Sequence, residues 1–275
     1  MHIKSQDLVN SHNSIDTLNS KQHQIEPKWI GTNMTTLIIG ASGATGRLLV
    51  EELLARDQSV KIIVRSLDSL PKTVKNNANL SVIKASVLDL SDAEMVKYTH
   101  GCSAVISCLG HNLTLRGMFG RPRRLVADAT RRMCDAIREN EPAEPVKFVL
   151  MNTTGNSNRD LDERISFGQK CVMTLIRLVL PPHVDNEKAA EYLRSNVGQN
   201  DPMIEWAAVR PDGLIDETEV TDYDIHKSPR RSTIFNAGTT SRINVAHFMA
   251  KLIESDSTWE MWRGKMPVIY NKAAQ

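Results

Sequence analysis

The stretch MTTLIIGASGATGRLLVEELL, residues 34–54, joins a short apolar strand to an amphipathic helix through a turn that contains Gly40, Gly43 and Gly46. Residues without a Cβ are needed where a chain turns sharply beneath a ligand and then enters a helix. The amino end of that helix offers N–H groups and a positive dipole to a phosphate. GxxGxxG is one residue longer than the GxGxxG fingerprint, but the flanking strand and helix favour a dinucleotide site over a structural turn.

Apolar runs of strand length continue along the chain and alternate with segments of helical periodicity. This alternation is typical of a parallel sheet covered on both faces. We therefore predict an α/β fold over residues 34–275: one Rossmann-type, doubly wound parallel sheet with helices on both faces, its ligand crevice at the carboxyl ends of the strands. The predicted strands are TTLIIG, VKIIVRS, LSVIKAS, SAVISCLG, VKFVLMN, IEWAAVR and MPVIY.

The composition excludes several function classes. The 275 residues are 41% hydrophobic and 24% charged with a net charge of +2, which lacks the basic excess of nucleic-acid-binding proteins. The most apolar segment, residues 171–182, is too short to span a bilayer and is interrupted by Arg177. Four cysteines without CxxC spacing predict reduced thiols in a cytoplasmic protein, and eight scattered histidines predict no metal site.

Residues 1–33 are polar and contain no apolar run long enough for a signal peptide. Because their sparse apolar residues cannot offset the entropy of ordering, we expect a disordered extension or a strap loosely docked through Trp29 and Ile30. An alternative is that Met34 is the physiological start, since the folded pattern begins directly after it.

The residues after the second strand indicate which dinucleotide binds. NAD sites usually place Asp or Glu there for the ribose 2′-hydroxyl, whereas this chain has Arg65 and Ser66, which suit a 2′-phosphate. We therefore expect NADP(H) to be preferred over NAD(H), although an exposed arginine that only ends the strand is the alternative. Asp89, after the third strand, either contacts adenine or helps to cap the next helix with Ser91.

The chain resembles the atypical short-chain dehydrogenase/reductase-like proteins, also called NmrA-like or NAD(P)H-binding. The segments that carry the resemblance are LIIGASGATGRLLVEELL, VRS after strand two, AVISCLG at strand four, EWAAVRPDGLID, SRINVAHFMAKLIE and MPVIYN. The chain is also similar to biliverdin/flavin reductases in the same places. The resemblance covers residues 35–271 and implies a glycine loop around the pyrophosphate. It also implies that residues after the fourth and fifth strands border the nicotinamide and that the proline after the sixth strand closes the pocket. It assigns these roles to Gly40, Ser42, Gly43, Ala44, Thr45, Gly46, Cys108, Leu109, Gly110, His111, Asn152, Thr153, Thr154 and Pro211.

The usual catalytic pair of short-chain dehydrogenases, Tyr-x-x-x-Lys on the helix after strand five, is not found there. The match Tyr223 to Lys227 follows the sixth strand, so we interpret it as coincidence, and Ser166 stands where the tyrosine is needed. A serine hydroxyl is a far poorer acid than a phenol. The candidate catalytic residues are instead Lys188, Thr154 and His111, each with a structural alternative: an exposed helix lysine, a strand end and a bystander histidine.

The segment 155–183 has an apolar second half between strand five and the Lys188 helix. It either roofs an apolar substrate pocket, forms a homodimer interface through residues 164–182, or is a helix buried in its own core.

Two function classes fit the sequence. The first is an NADPH-dependent oxidoreductase that transfers a hydride to a small flavin, quinone or carbonyl substrate, whose reduced form takes its proton from water without a strong protein acid. The second is a non-catalytic NADP(H)-binding redox sensor of the NmrA type. The polar groups at the strand ends favour the enzyme.

Overall fold

The computed structural model describes residues 34–111, 114, 120–163 and 166–272, so the expectation for residues 1–33 lies outside the described residues. The strands are β1 Thr35–Ile39, β2 Ser59–Val64, β3 Leu80–Lys84, β4 Cys102–Ser107, β5 Val146–Met151, β6 Ile204–Pro211, β7 Gly213–Ile215, β8 Tyr223–His226, β9 Thr239–Ser241 and β10 Val268–Asn271. The helices are α1 Ala44–Leu54, α2 Lys72–Lys75, α3 Asp92–Thr99, α4 Leu125–Glu139, α5 Phe167–Val179, α6 Pro181–Tyr192, a π-helical turn Leu193–Val197, α7 Arg242–Glu254 and α8 Asp256–Trp262.

The main sheet has the strand order β3-β2-β1-β4-β5-β6-β10-β8. All its pairs are parallel except β10 with β8, which are antiparallel. The predicted doubly wound α/β fold and its seven predicted strands are confirmed, but an antiparallel edge strand makes the sheet mixed. The order reverses between β1 and β4, and in such sheets the ligand binds at this switch point.

Both faces of the sheet are buried, as the continuous apolar strands require. Leu37 and Ile39 of β1 belong to one hydrophobic cluster, which packs against α3, α4 and α6. Ile38, between them, belongs to the other cluster, which packs against α1, α7 and α8. Each fully buried leucine or isoleucine stabilises the fold by about 1.5 to 3 kcal/mol.

Helix α5 lies apart from these two clusters. Met173 is its buried residue, whereas Leu175 and Leu178 are 61% and 79% exposed. An ion pair from Arg177 to Glu187 of α6, at 2.7 Å, attaches the helix. The alternative of a helix buried in its own core is therefore wrong, while a pocket roof and a subunit interface both stay open. Across the described parts of the chain, no helix has the length and apolar character needed to cross a membrane.

Candidate functional site

The turn from β1 to α1 is pressed against the end of β4. Gly40 has φ +78°, and a Cβ there would lie 2.5 Å from the carbonyl carbon of Cys108. A Cβ on Gly46 would lie 2.2 Å from the Gly40 oxygen. These distances are far below van der Waals contact, so only glycine allows the helix, the turn and β4 to approach this closely.

No side chain in the described part of the structure caps the first turn of α1. Gly43 is the N-cap residue, and its own N–H donates to the Gly40 oxygen at 3.0 Å. The helix begins at Ala44 with no acidic residue in its first turn, and both Gly43 and Ala44 are exposed. Helix N–H groups without a side-chain partner, at the positive end of the dipole, favour an anion.

A cleft of about 280 Å³ opens at this turn, along the carboxyl ends of β1 to β4. It brings together the glycine turn, the predicted Arg65 and the predicted residues after β4. Its lining is Gly40, Ser42, Gly43, residues 63–65, residues 85–87, residues 108–110, Pro122 and Leu125. Residues 85–87, Pro122 and Leu125 were not predicted, although the position of 85–87 directly after β3 was a sequence signal for them.

The ends of β2 and β3 differ in what they present to this cleft. Arg65 is exposed and lines the cleft, and the Ser66 hydroxyl accepts the Asp68 N–H at 3.1 Å. Asp89 is exposed and lies outside the cleft lining, where Ser86 stands instead. Ser91, not Asp89, caps α3, in a capping box with Glu94. The contact of Asp89 with adenine stays a prediction.

Beyond β4, the ends of β5 and β6 carry a second set of polar groups. The buried Asn152 donates from Nδ2 to the Asn186 oxygen at 2.9 Å, and the Thr153 N–H donates to Asn152 Oδ1. The Thr154 N–H donates to the Pro211 oxygen at 3.1 Å. These bonds fix the predicted residues 152–154 and Pro211 beside one another.

Asp212, which no sequence pattern indicated, belongs to this set. Its Oδ1 accepts the Thr154 hydroxyl at 3.0 Å and its Oδ2 accepts the Gly238 N–H at 2.8 Å. Burial raises the pKa of Asp212, against the lowering effect of these hydrogen bonds and of the positive charge of Arg231. In RPDG the aspartate had the pattern of an ordinary turn residue, so its burial had no sequence signal.

His111, directly after the cleft residue Gly110, is paired with Asp185 of α6. His111 Nε2 lies 2.8 Å from Asp185 Oδ2, and the two side chains are 4% and 0% exposed. The same carboxylate accepts the Val126 and Ala127 N–H groups at 2.8 and 3.0 Å. Asp185 therefore caps the first turn of α4 from a neighbouring helix while it holds the His111 ring at the end of β4.

Comparisons with known proteins agree with this geometry. A family model described as NAD(P)H-binding matches residues 40–256. The chain belongs to this family. The match runs from the glycine turn through α7 and confirms the resemblance on which the site residues were assigned. None of the curated protein sequences matches this NAD(P)H-binding protein significantly.

Solved structures share the fold of this NAD(P)H-binding protein at low sequence identity. A short-chain dehydrogenase/reductase from Veillonella parvula, in complex with NADP, is 14% identical, covers 87% of this chain and 95% of its own, and gives a TM-score of 0.62. A protein from Streptococcus pneumoniae described as an NADH-flavin reductase is 17% identical over 87% and 100%, with a TM-score of 0.59. ChuY, an anaerobillin reductase from Escherichia coli O157:H7, is 15% identical over 88% and 99%, with a TM-score of 0.61.

Lys188 is not brought into the site of the NAD(P)H-binding protein. It is exposed on α6, whereas Asp185 and Ala189 on the same helix are buried. Lys188 lies outside the cleft lining, and its catalytic role stays a prediction. Within the described residues, no group of three or more His, Cys, Asp or Glu side chains is placed to hold a metal ion.

Proposed function

We propose that the protein is an NADP(H)-dependent oxidoreductase of the atypical short-chain dehydrogenase/reductase type, which transfers a hydride to a small flavin, quinone or carbonyl substrate. The observation that carries the proposal is the glycine turn, where an added Cβ at Gly40 would meet the Cys108 backbone at 2.5 Å, beside the uncapped first turn of α1. The NADP complex of the Veillonella protein and the reductase descriptions of the other two structures support it.

The residues of the cleft fit a dinucleotide. Ser42, Ala44, Thr45 and Gly46 would hold the diphosphate through backbone N–H groups and hydroxyls. Gly43, whose own N–H donates to the Gly40 oxygen, would let the diphosphate approach because it has no side chain. When bound, the nicotinamide supplies the hydride. Residues 108–110 and 152–154, at the neighbouring ends of β4 and β5, would position the nicotinamide and exclude water from it.

Arg65 and Ser66 would select the phosphorylated cofactor. Arg65 is exposed at the cleft and forms no ion pair with any described residue, so its guanidinium is available for a phosphate. Arginine matches phosphate geometry through two parallel N–H donors, which makes such contacts stronger than neutral hydrogen bonds. NADPH should therefore bind more tightly than NADH.

Among the described residues that line the cleft, the tyrosine that donates the proton in ordinary short-chain dehydrogenases has no counterpart. Tyr223 lies on the edge strand β8, where its hydroxyl contacts His247 Nδ1 at 2.7 Å and burial raises its pKa to about 12. Ser166 is the N-cap of α5, and its oxygen accepts the Gln169 N–H. His111, oriented by Asp185, is the group at the end of β4 that we assign to proton delivery. The Thr154 hydroxyl donates to Asp212, and its catalytic role stays a prediction.

Steady-state NADPH oxidation with FMN, a quinone and an aldehyde tests the proposal. We expect turnover with at least one flavin or quinone, since their reduced forms take protons from water. His111→Ala should lower kcat for an aldehyde about a hundredfold, because general acids contribute on that order, and should affect flavins less. His100→Ala, at an exposed position on the α3–β4 connection, is the control.

A second candidate function is an NADP(H)-binding redox sensor without turnover. The position of Tyr223 and Lys227 away from the cleft, together with the exposure of Lys188, favours it. Tight NADPH binding without NADPH consumption across the whole substrate panel would identify the sensor and exclude the enzyme.

A further inference from the structure

A second cavity, of about 370 Å³, lies beyond the cofactor cleft at the carboxyl ends of β5 and β6. We call it the arginine pocket. The residues that line it include Thr154, Ser157, Ser166, Gln169, Arg230 and Arg231. The strand order β1-β4-β5-β6 puts it on the far side of the residues that would border the nicotinamide. A substrate that receives a hydride at the β4–β5 position therefore has this pocket directly beside it.

The walls of the arginine pocket are tied together. The Ser232 hydroxyl donates to Gln169 Oε1 of α5 at 2.9 Å, and it accepts the Phe235 N–H. The Thr233 hydroxyl donates to the Thr154 oxygen at 3.4 Å. The loop that carries Arg230 and Arg231 is thus joined both to α5 and to the segment after β5, which holds the two arginines at the pocket.

Glu163, the one carboxylate among the described residues that line the pocket, is already neutralised. Arg210, 0% exposed, donates to both Glu163 oxygens at 2.8 and 3.2 Å. Its remaining N–H groups donate to backbone oxygens of Met266, Asn156 and Lys227. Because Arg210 is satisfied by these contacts and Glu163 by Arg210, neither of them offsets the charge of another group in the pocket.

Arg230 and Arg231 supply the positive charge of the pocket, and the charge of Arg231 also acts, beyond ion-pair distance, on the Asp212 carboxylate, which lies outside the pocket lining. Both are exposed at the pocket, and neither forms an ion pair with a residue in the described part of the chain. By contrast, Arg131, Arg177 and Arg194 are each within 4.0 Å of a carboxylate. Two guanidinium groups surrounded by serine hydroxyls and a glutamine amide make a positively charged pocket rich in hydrogen-bond donors.

We propose that Arg230 and Arg231 bind a carboxylate or phosphate group of the substrate, so that the reductase acts on an anionic small molecule. This proposal rests on the proposed function for its location beside the hydride-transfer position. Guanidinium groups bind both carboxylates and phosphates through paired N–H donors. Two guanidinium groups side by side therefore favour an anionic substrate over a neutral one.

Two pairs of probes test the proposal, and the members of each pair differ in charge. One pair tests for binding of a phosphate and the other for binding of a carboxylate. FMN differs from riboflavin by the phosphate, and an anthraquinone carboxylate differs from its hydroxymethyl analogue by the carboxylate. Binding of each probe is measured by fluorescence in the presence of NADP⁺, and KM is measured with NADPH. We expect at least one anionic probe to bind about tenfold more tightly than its neutral partner, and Arg230→Ala/Arg231→Ala to abolish that preference while neutral probes change less than twofold.

The matched control is Arg131→Ala/Lys251→Ala, which removes the same charge from α4 and α7 at exposed positions outside the pocket lining. Arg230→Gln/Arg231→Gln repeats the test with longer side chains if the alanine variant melts early. Equal binding of both members of both pairs, or a preference that survives in the arginine variants, would overturn the proposal. If anions bind selectively but NADPH is never consumed, the anion site stands and the proposed reductase function fails.

Discussion

The Asp185 carboxylate lies 2.8 Å from His111 Nε2 and, in the same position, accepts two N–H groups of the first turn of α4. One buried acid on α6 therefore joins the end of β4 to the start of α4. A helix N-terminus that is capped from another element is stabilised by both the hydrogen bonds and the dipole. The same contacts orient His111, so the stability of the fold and the geometry of the site depend on one side chain.

Asp185→Asn should lower the free energy of unfolding by about 2 to 3 kcal/mol. The amide keeps the shape of the carboxylate but turns an NH₂ group toward one of three donors, which leaves a buried donor unpaired. Urea unfolding measures the change. Asp92→Asn, which removes an ion pair to Arg132 from a side chain that is 89% exposed, should cost less than about 1 kcal/mol. Equal effects of the two variants would contradict the role of Asp185.

Gly40→Ala should abolish NADPH binding, whereas Gly101→Ala should not. Both glycines have positive φ, +78° and +69°, so each alanine carries a backbone cost of about 1 to 2 kcal/mol. A Cβ at Gly101 has no heavy atom within 4 Å, but at Gly40 it collides with the Cys108 backbone. Calorimetric titration with NADPH compares the two variants. Similar affinities would contradict the proposal that the glycine turn holds the diphosphate.

Arg65→Ala should weaken NADPH binding by about 1.5 to 3 kcal/mol and leave NADH nearly unchanged. The loss corresponds to charge-assisted hydrogen bonds to the 2′-phosphate, which NADH lacks. Calorimetric titration of both cofactors against both proteins gives the four affinities. Should NADH weaken as much as NADPH, Arg65 would not be the residue that distinguishes them.

Leu175→Asp/Leu178→Asp should give a stable protein, because both side chains are mostly exposed on α5. If α5 forms a homodimer interface, sedimentation should show that the wild type is a dimer and the double variant a monomer. If α5 instead roofs the substrate pocket, the oligomeric state should stay the same while KM changes. Met173→Asp, at a buried position on the same helix, is the control that should lower thermal stability.

Stability should fall in acid partly through Glu187. Burial by itself raises the pKa of Glu187, but the contact with His183 Nε2 at 3.2 Å and the hydrogen bonds from Arg177 outweigh it and lower the pKa to about 2, well below the usual range of a glutamate. A carboxyl with a lowered folded pKa stabilises the fold above its unfolded pKa, and that contribution is lost as pH falls from about 5 toward 2. Glu187→Gln and Arg177→Gln should both flatten this part of the pH profile; an unchanged slope would remove Glu187 as the cause.

The long apolar strands and the glycine turn could be predicted from the sequence, because a strand that is buried on both faces of a sheet is a continuous apolar run. Strands β7, β8 and β9 were not predicted, because they have only three or four residues each, and those of β7 and β8 are half-exposed or exposed. Their pairing depends on tertiary contacts such as Tyr270 with Asp224.

Site residues at the ends of strands could be predicted from the sequence. Site residues that are buried only by tertiary packing could not. Gly40 and Arg65 follow from strand ends, which sequence patterns locate. Asp185 and Asp212 resemble solvated residues in sequence, yet α4 and the Gly238 loop cover them. The candidate Lys188 is on the same helix as Asp185, but it lies on the exposed face of that helix.

The buried Arg210 has a consequence for enzyme engineering. Its five N–H contacts join Asn156, Glu163, Lys227 and Met266, which belong to separate segments around the arginine pocket. Lysine has too few donors to replace it. Exchanging these loops with those of another scaffold to alter specificity would therefore require transplanting Arg210 and Glu163 together with them.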